Sequence, residues 1–171
     1  MATIKKVTNG NIYIDGNNLL GKVEEATIAD ITSKMSEFTA LGMAGTVEFA
    51  SGFEMMEMSV TLHAYHADTL ALLADPNATH RLQMRSSVDE HTSVGRTAQT
   101  PYVIYATVAA KKIAGGAFKA HEAVKQEITF AVYSMKMEQD GAAVIEFDAN
   151  ANIYKVNGVD KLATYRNNLG I

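Results

Sequence analysis

Met56, Met58, Val60 and Leu62 alternate with Glu57, Ser59, Thr61 and His63, the cleanest two-residue period in the chain. Such a period predicts a strand with one face in a core and the other, small and polar, toward water or something wet. Shorter strands are predicted at Ile12-Tyr13-Ile14, entering a turn at Asp15-Gly16, at Val23 to Ile28, and at Ile31 to Thr39 with looser alternation. Leu41-Gly42-Met43-Ala44-Gly45 and Ala50-Ser51-Gly52 read as Gly-punctuated breaks. His66 to Asp75 switches to helical spacing, with Ala67, Leu70, Ala71 and Ala74 on one stripe and Pro76 as the stop.

A strand at Arg81 to Arg85 is followed by residues 86–100, almost free of large apolar side chains, which read as an exposed, mobile loop. Tyr102 to Ala110 is apolar on both faces, so a strand there calls for cover on two sides. Glu122 to Glu138 reads as one long strand. Ile128, Phe130 and Val132 share a face, and the apolar parity then changes at Tyr133-Ser134 to continue at Met135 and Met137. A parity change signals a bulge or bend between two sheet surfaces. Asp140-Gly141 predicts a hairpin turn into Val144 to Phe147. Near the end, Asn157 reads as a helix N-cap with Asp160 as its capping-box acid, a helix spans about 158–169, and Gly170 ends it.

These elements add up to one mainly β domain over 1–171 with two short helices. Length agrees: 171 residues suffice for one core and are short for two. An apolar fraction of 47% with 20% charged residues is ordinary for a globular chain. The formal net charge of -4 offers no basic stripe for gripping nucleic-acid phosphates. With no cysteine, disulfides, zinc-thiolate sites and thiol nucleophiles are excluded. The N-terminus lacks an apolar signal segment, and the longest apolar run is about half a membrane span, so synthesis and folding in a cytoplasm are expected.

Candidate chemistry is sparse. His63 and His66 lie three apart with no acidic partner to complete a metal set. No Gly-rich phosphate loop or nucleophile elbow occurs, and Glu54 and Glu57 read as a solvated or interface face rather than an acid-base pair. The residues thus call for no catalytic site, metal or cofactor. Nine methionines, concentrated at Met55, Met56, Met58, Met135 and Met137, suit either core packing or an adaptable contact surface.

The C-terminal stretch is the specific one. Glu146-Phe147-Asp148, Val156-Asn157-Gly158-Val159-Asp160 and Arg166-Asn167-Asn168-Leu169-Gly170-Ile171 closely resemble the ending of the major tail tube proteins of contractile-tailed phages and of the related R-type bacteriocin tubes. Asn11 to Gly16, Gly21, Gly42-Met43 and Lys119 to Glu122 follow that family's pattern more loosely. The chain departs from it at Ile28-Ala29-Asp30, at Phe38-Thr39 and in residues 86–100.

The resemblance implies a non-enzymatic subunit, a small β-barrel or sandwich that forms hexameric rings, each copy lending strands to one inner barrel. The rings stack into a tube inside a contractile sheath, as a virion conduit for DNA into the host. Its implied partners are other copies of itself, the sheath, the baseplate and the tail terminator, with DNA only as passing cargo and no membrane insertion by the monomer. Glu57, Ser59, Thr61 and His63 are then the candidate lumen face. Gly42, Met43, Tyr102, Ile104, Asn157, Gly158, Asp160 and Arg166 are candidate subunit contacts. Competing readings are a tube of a genome-free injection system, such as an R-type bacteriocin or secretion tube, and a β-barrel carrier of a small ligand.

Overall fold

The computed structural model describes residues 3–171. Its organising element is β9 (Lys125–Gln139), the long strand with the parity change. Along one edge β9 pairs with β8 (Gly95–Ile113). Along the other it changes partner: Lys125 to Val132 pair with β6 (Met56–His63), and Ser134 to Gln139 pair with β10 (Ala142–Asp148). The switch falls at Tyr133. Against β8 the register steps from Thr107↔Ser134 to Val108↔Val132, leaving Tyr133 as the extra residue of a bulge. Gln126, Ile128, Phe130 and Val132 point inward before it and Met135 after it, so one strand feeds the core from both sides of a bend.

From β8 the sheet continues through β7 (His80–Thr92) and β1 (Ile4–Ile14) to the short β2 (Asn17–Asn18). From β10 it continues through β11 (Ile153–Val156) to β12 (Val159–Asp160), and from β6 to β3 (Val23–Thr27). The path is open, so the chain by itself does not close the barrel that was one of the two expected forms. Its single core gathers Ile12 and Ile14, Met58, Val60 and Leu62, Leu82, Ile104, Val108, Ile128, Phe130, Met135 and Phe147. Burying each such side chain is worth about 1.5–3 kcal/mol. The alternation at β6 is realised in full: Met56, Met58, Val60 and Leu62 are at most 5% exposed.

Four sequence expectations need correction. Residues 86–100 are not a loop. They are the outer half of the β7–β8 hairpin, turning only at Ser93-Val94. Polar cross-strand contacts hold it, with Lys5–Glu90 at 2.9 Å and Gln99 donating to Asp89 at 2.7 Å, and β1 backs it through Val7↔Val88. A search for hydrophobic period misses a strand of that kind.

Ala50-Ser51-Gly52 is likewise not a break but part of β5 (Val47–Phe53), which pairs with β4 (Ser33–Phe38) around a bulge. In α1 (Ala67–Leu73) the buried residues are Thr69 and Leu73, with Leu70 half-buried, whereas Ala67, Ala71 and Ala74 face solvent. The helix turns its bulkier side inward because Leu73 buries more apolar area than any alanine. Finally, Asn157-Gly158 is the turn of the β11–β12 hairpin, with φ of 49° and 77°, and α2 (Ala163–Leu169) begins after it. Both residues in the left-handed region make the turn that Asn-Gly favours, so the dipeptide caps a hairpin rather than a helix. Gly170 does end α2, at φ 74°, with its N–H on the Asn167 carbonyl.

A buried polar contact fixes the entry to this sheet. His80 is 4% exposed, and its Nδ1 lies 2.7 Å from an Asp15 carboxylate oxygen, while the other oxygen accepts from the Arg81 N–H at 2.8 Å. Burial pushes the Asp15 carboxyl up, but the Arg81 and His80 hydrogen bonds outweigh it and hold the group below the usual range.

Candidate assembly interface

The polar residues of β6 lie on one outward face shared by four strands. Thr61 sits between Glu25 of β3 and Glu127 of β9, and Ser59 between Thr27 and Thr129. Glu57 stands beside Ala131, and His63 beside Lys125. Ser59 and Thr61 are half-buried; Glu57 and His63 are exposed. The charges on this face are partly compensated, with Glu25 and Glu127 outside any ion pair among the described residues. Lys111 pairs with Glu57, Lys125 reaches Glu24 at 2.5 Å, and His63 Nδ1 lies 3.6 Å from Glu24. The Lys125 ammonium holds the Glu24 carboxyl below its ordinary range, and Glu24 in turn raises Lys125.

This four-stranded unit has two open edges. Among the described residues β3 pairs only with β6. At the far side, β7 leaves β8 at His80↔Val108, so among the described residues 109–113 of β8 are paired with β9 alone. Unpaired edges are templates for another strand, and natural proteins cover them.

β4 and β5 form a separate two-stranded sheet that extends the β3–β6 ladder. Thr27↔Ser59 and Ser33↔Phe53 keep the same register across the intervening break. Residues 32–52 are all exposed. One face of this arm carries Phe38, Val47 and Phe49, with the two rings 6.0 Å apart and Phe49 57% exposed. The other face sets Glu37 directly opposite Glu48. Like charges so placed destabilise a strand pair, and an isolated two-stranded sheet is marginal in water.

The sequence-derived contact residues fall in three places. Gly42, at φ 88°, and Met43 lie in the turn at the tip of the arm. Asn157, Gly158, Asp160 and Arg166 come together at the C-terminus. There Arg166 donates to Asp160 Oδ2 at 2.5 Å and to the Asn152 carbonyl at 2.7 Å, while Asp160 Oδ1 accepts the Leu162 N–H at 2.9 Å. The guanidinium holds the Asp160 carboxyl below its ordinary value. These two residues therefore clasp α2 onto the β11–β12 hairpin within one chain.

Tyr102 and Ile104 turn into the chain's own core. Ile104 is 1% exposed and has no surface left for a neighbour, and burial raises the half-buried Tyr102 hydroxyl. The strand with two apolar faces is thus covered from inside. Even its outward Ala109 is only 6% exposed, whereas Tyr105 stays exposed. The aromatic face of the arm escaped sequence reading because Gly52 and the Ser51 bulge interrupt the alternation. The signal was the pair Phe49 and Val47 flanking Glu48, with Phe38 next to Glu37.

Comparison with known proteins agrees with this layout. The family model described as phage tail tube protein FII matches residues 4–170. The tail tube protein of Escherichia phage P2 is 24% identical over 174 residues, covering 100% of both chains. Among solved structures, the tube-and-sheath complex of the extracellular contractile injection system PVC, in its extended state, aligns with a TM-score of 0.54 at 10% identity. It covers 75% of this chain and 87% of that one. The tube-terminating cap of the anti-feeding prophage aligns with a TM-score of 0.53 at 11% identity, over 75% and 87% of the respective chains. A match over almost every residue, on a β-rich subunit with open strand edges and an exposed arm, places the chain in the phage tail tube protein FII family.

Proposed function

We propose that this chain is the inner-tube subunit of a contractile phage tail, polymerising as stacked hexameric rings into a conduit for DNA. The observation that carries the reading is the family match over residues 4–170, on a four-stranded unit whose two edges lack partners. Pairing the β3 edge of one copy with the β8 edge of the next continues the sheet around a ring and leaves no edge exposed. The face bearing Glu57, Ser59, Thr61 and His63 then lines the channel. Its small side chains and carboxylates, Glu25 and Glu127 among them, give a sliding polyanion little to grip. Gly42 and Met43 at the arm tip contact neighbouring copies, and the work is done by interfaces rather than by bond-making residues.

The partners on this reading are further copies, the sheath, the baseplate and the tail terminator. The subunit is made in the bacterial host cytoplasm and ends in the virion; among the described residues no helix is long and apolar enough to cross a membrane. A second reading, a tube of an injection system that carries no genome, is favoured by the likeness of fold to the PVC and anti-feeding-prophage structures. Capsid and terminase genes beside this one decide for a phage. Negative-stain microscopy of the concentrated purified protein tests the assembly itself. Rings or tubes with a central channel are expected, and a species that stays monomeric at every concentration overturns the proposal.

A further inference from the structure

We infer that the cleft between the base of β5 and α2 receives the arm tip of a second copy of this chain, and so is the acceptor half of a head-to-tail contact. The inference rests on the tube-subunit reading and adds the acceptor surface to it.

The cleft measures about 480 Å³ and is lined by Gly52, Phe53, Phe147, Leu162 and Tyr165 among others. Its floor is an aromatic cluster: the Phe53 ring meets Phe147 at 5.0 Å and Tyr154 at 4.9 Å between centroids. Its outer wall is α2, which buries no residue of its own and leaves Tyr165 53% exposed. A helix held by the Arg166 clasp instead of by packing presents an apolar flank that still lacks a partner.

The arm supplies the matching convex piece. Leu41 at its tip is fully exposed and Met43 is 39% exposed. The arm cannot fill the cleft of its own chain, because Ala50 to Phe53 at its base form one wall of that cleft. From there β5 runs away through Val47, so at the usual rise per strand residue the tip lies about 20 Å off. Only another copy can bring a tip to the cleft.

Charge points the same way. Glu37 and Glu48 face each other on the arm with no ion-pair partner among the described residues, and Lys161, the chain neighbour of the cleft residue Leu162, also lacks one. Placing Lys161 against that carboxylate pair relieves the repulsion that weakens the arm. Donor and acceptor are different surfaces of one chain, the arrangement that generates rings or filaments.

The absence of cysteine makes the test clean. Leu41→Cys subunits are mixed with Tyr165→Cys subunits under assembly conditions and oxidised mildly. A covalent dimer that requires both variants is expected, and the double variant L41C/Y165C should give a ladder of covalent oligomers. The bond forms only between positions in contact. Separately, Lys161→Glu should slow tube growth about tenfold, with Glu48→Lys in the same chain restoring it. If wild-type tubes form but Leu41→Cys cross-links only to itself or to a Val94→Cys probe, the cleft is not the acceptor. Unchanged growth of Lys161→Glu tubes counts against it equally. If wild-type protein forms neither rings nor tubes, the tube-subunit reading itself falls, and this inference with it.

Discussion

Two hairpins leave the body of this subunit, and they are stabilised in opposite ways. The outer half of β7–β8 carries few apolar side chains, yet it is complete. β1 backs it as a third strand, Val88 is 6% exposed, and cross-strand polar pairs occupy its surface. The β4–β5 arm is richer in large apolar residues and yet unfinished, with only two strands, an aromatic face in water and two carboxylates in opposition. The contrast teaches that hydrophobic content does not report self-sufficiency. The polar arm has its third strand within the chain, whereas among the described residues the apolar arm has neither a third strand nor cover for its aromatic face.

The largest effect is expected where both hairpins are rooted. Deleting Tyr133 together with Ser134 removes the bulge and one paired residue more, so one half of β9 shifts by a residue, turning Lys136 and Glu138 toward the core in place of Met135 and Met137. The variant should show no cooperative thermal transition; a wild-type melting temperature would mean the bend is dispensable.

Next comes the arm itself. Phe38→Asp with Phe49→Asp should abolish tubes in negative stain while shifting subunit stability by only about 0.5 kcal/mol, since those rings touch little but each other. Equal loss of tubes and of fold would erase the distinction between the two hairpins. Val88→Ala makes the reverse case: denaturant unfolding should report a loss of about 1–2 kcal/mol, with tubes still forming.

The smallest effect concerns the C-terminal clasp. Because Arg166 lowers the Asp160 carboxyl below its ordinary value of 3.8, the clasp contributes fully above that value. Its contribution is lost as the pH falls below it, through the folded-state value. Amide exchange should show α2 loosening in that acid window, and Asp160→Asn should abolish the pH dependence. Exchange that is flat through the window would show α2 held by something else.

Legibility followed burial. The strict alternation of β6, the parity change in β9 and the turn at Asp140-Gly141 were readable because each depends on neighbours in sequence, or on a core that any fold must build. The polar hairpin at 86–100 was unreadable, since its order comes from β1, some eighty residues away in sequence. Asn157-Gly158 was ambiguous because the same side chain caps helices and adopts left-handed turns; β12 beyond it settled the matter. Of the contact residues, Gly42 and Met43 stand at an exposed tip, whereas Ile104 is consumed by the core, because its inward parity depends on which face of β8 packs.

The family and the β-rich character were therefore set by the sequence alone, through a C-terminal motif and a periodic apolar pattern that need no tertiary information. Only the tertiary structure decided that β9 changes partner at Tyr133, that the sheet stays open at both edges of its polar unit, and that β4–β5 forms a two-stranded sheet of its own whose base borders an aromatic cleft. Those are statements about which distant strands meet and which do not. Local pattern carries the identity of a strand's faces, but whether an edge is covered depends on the whole chain.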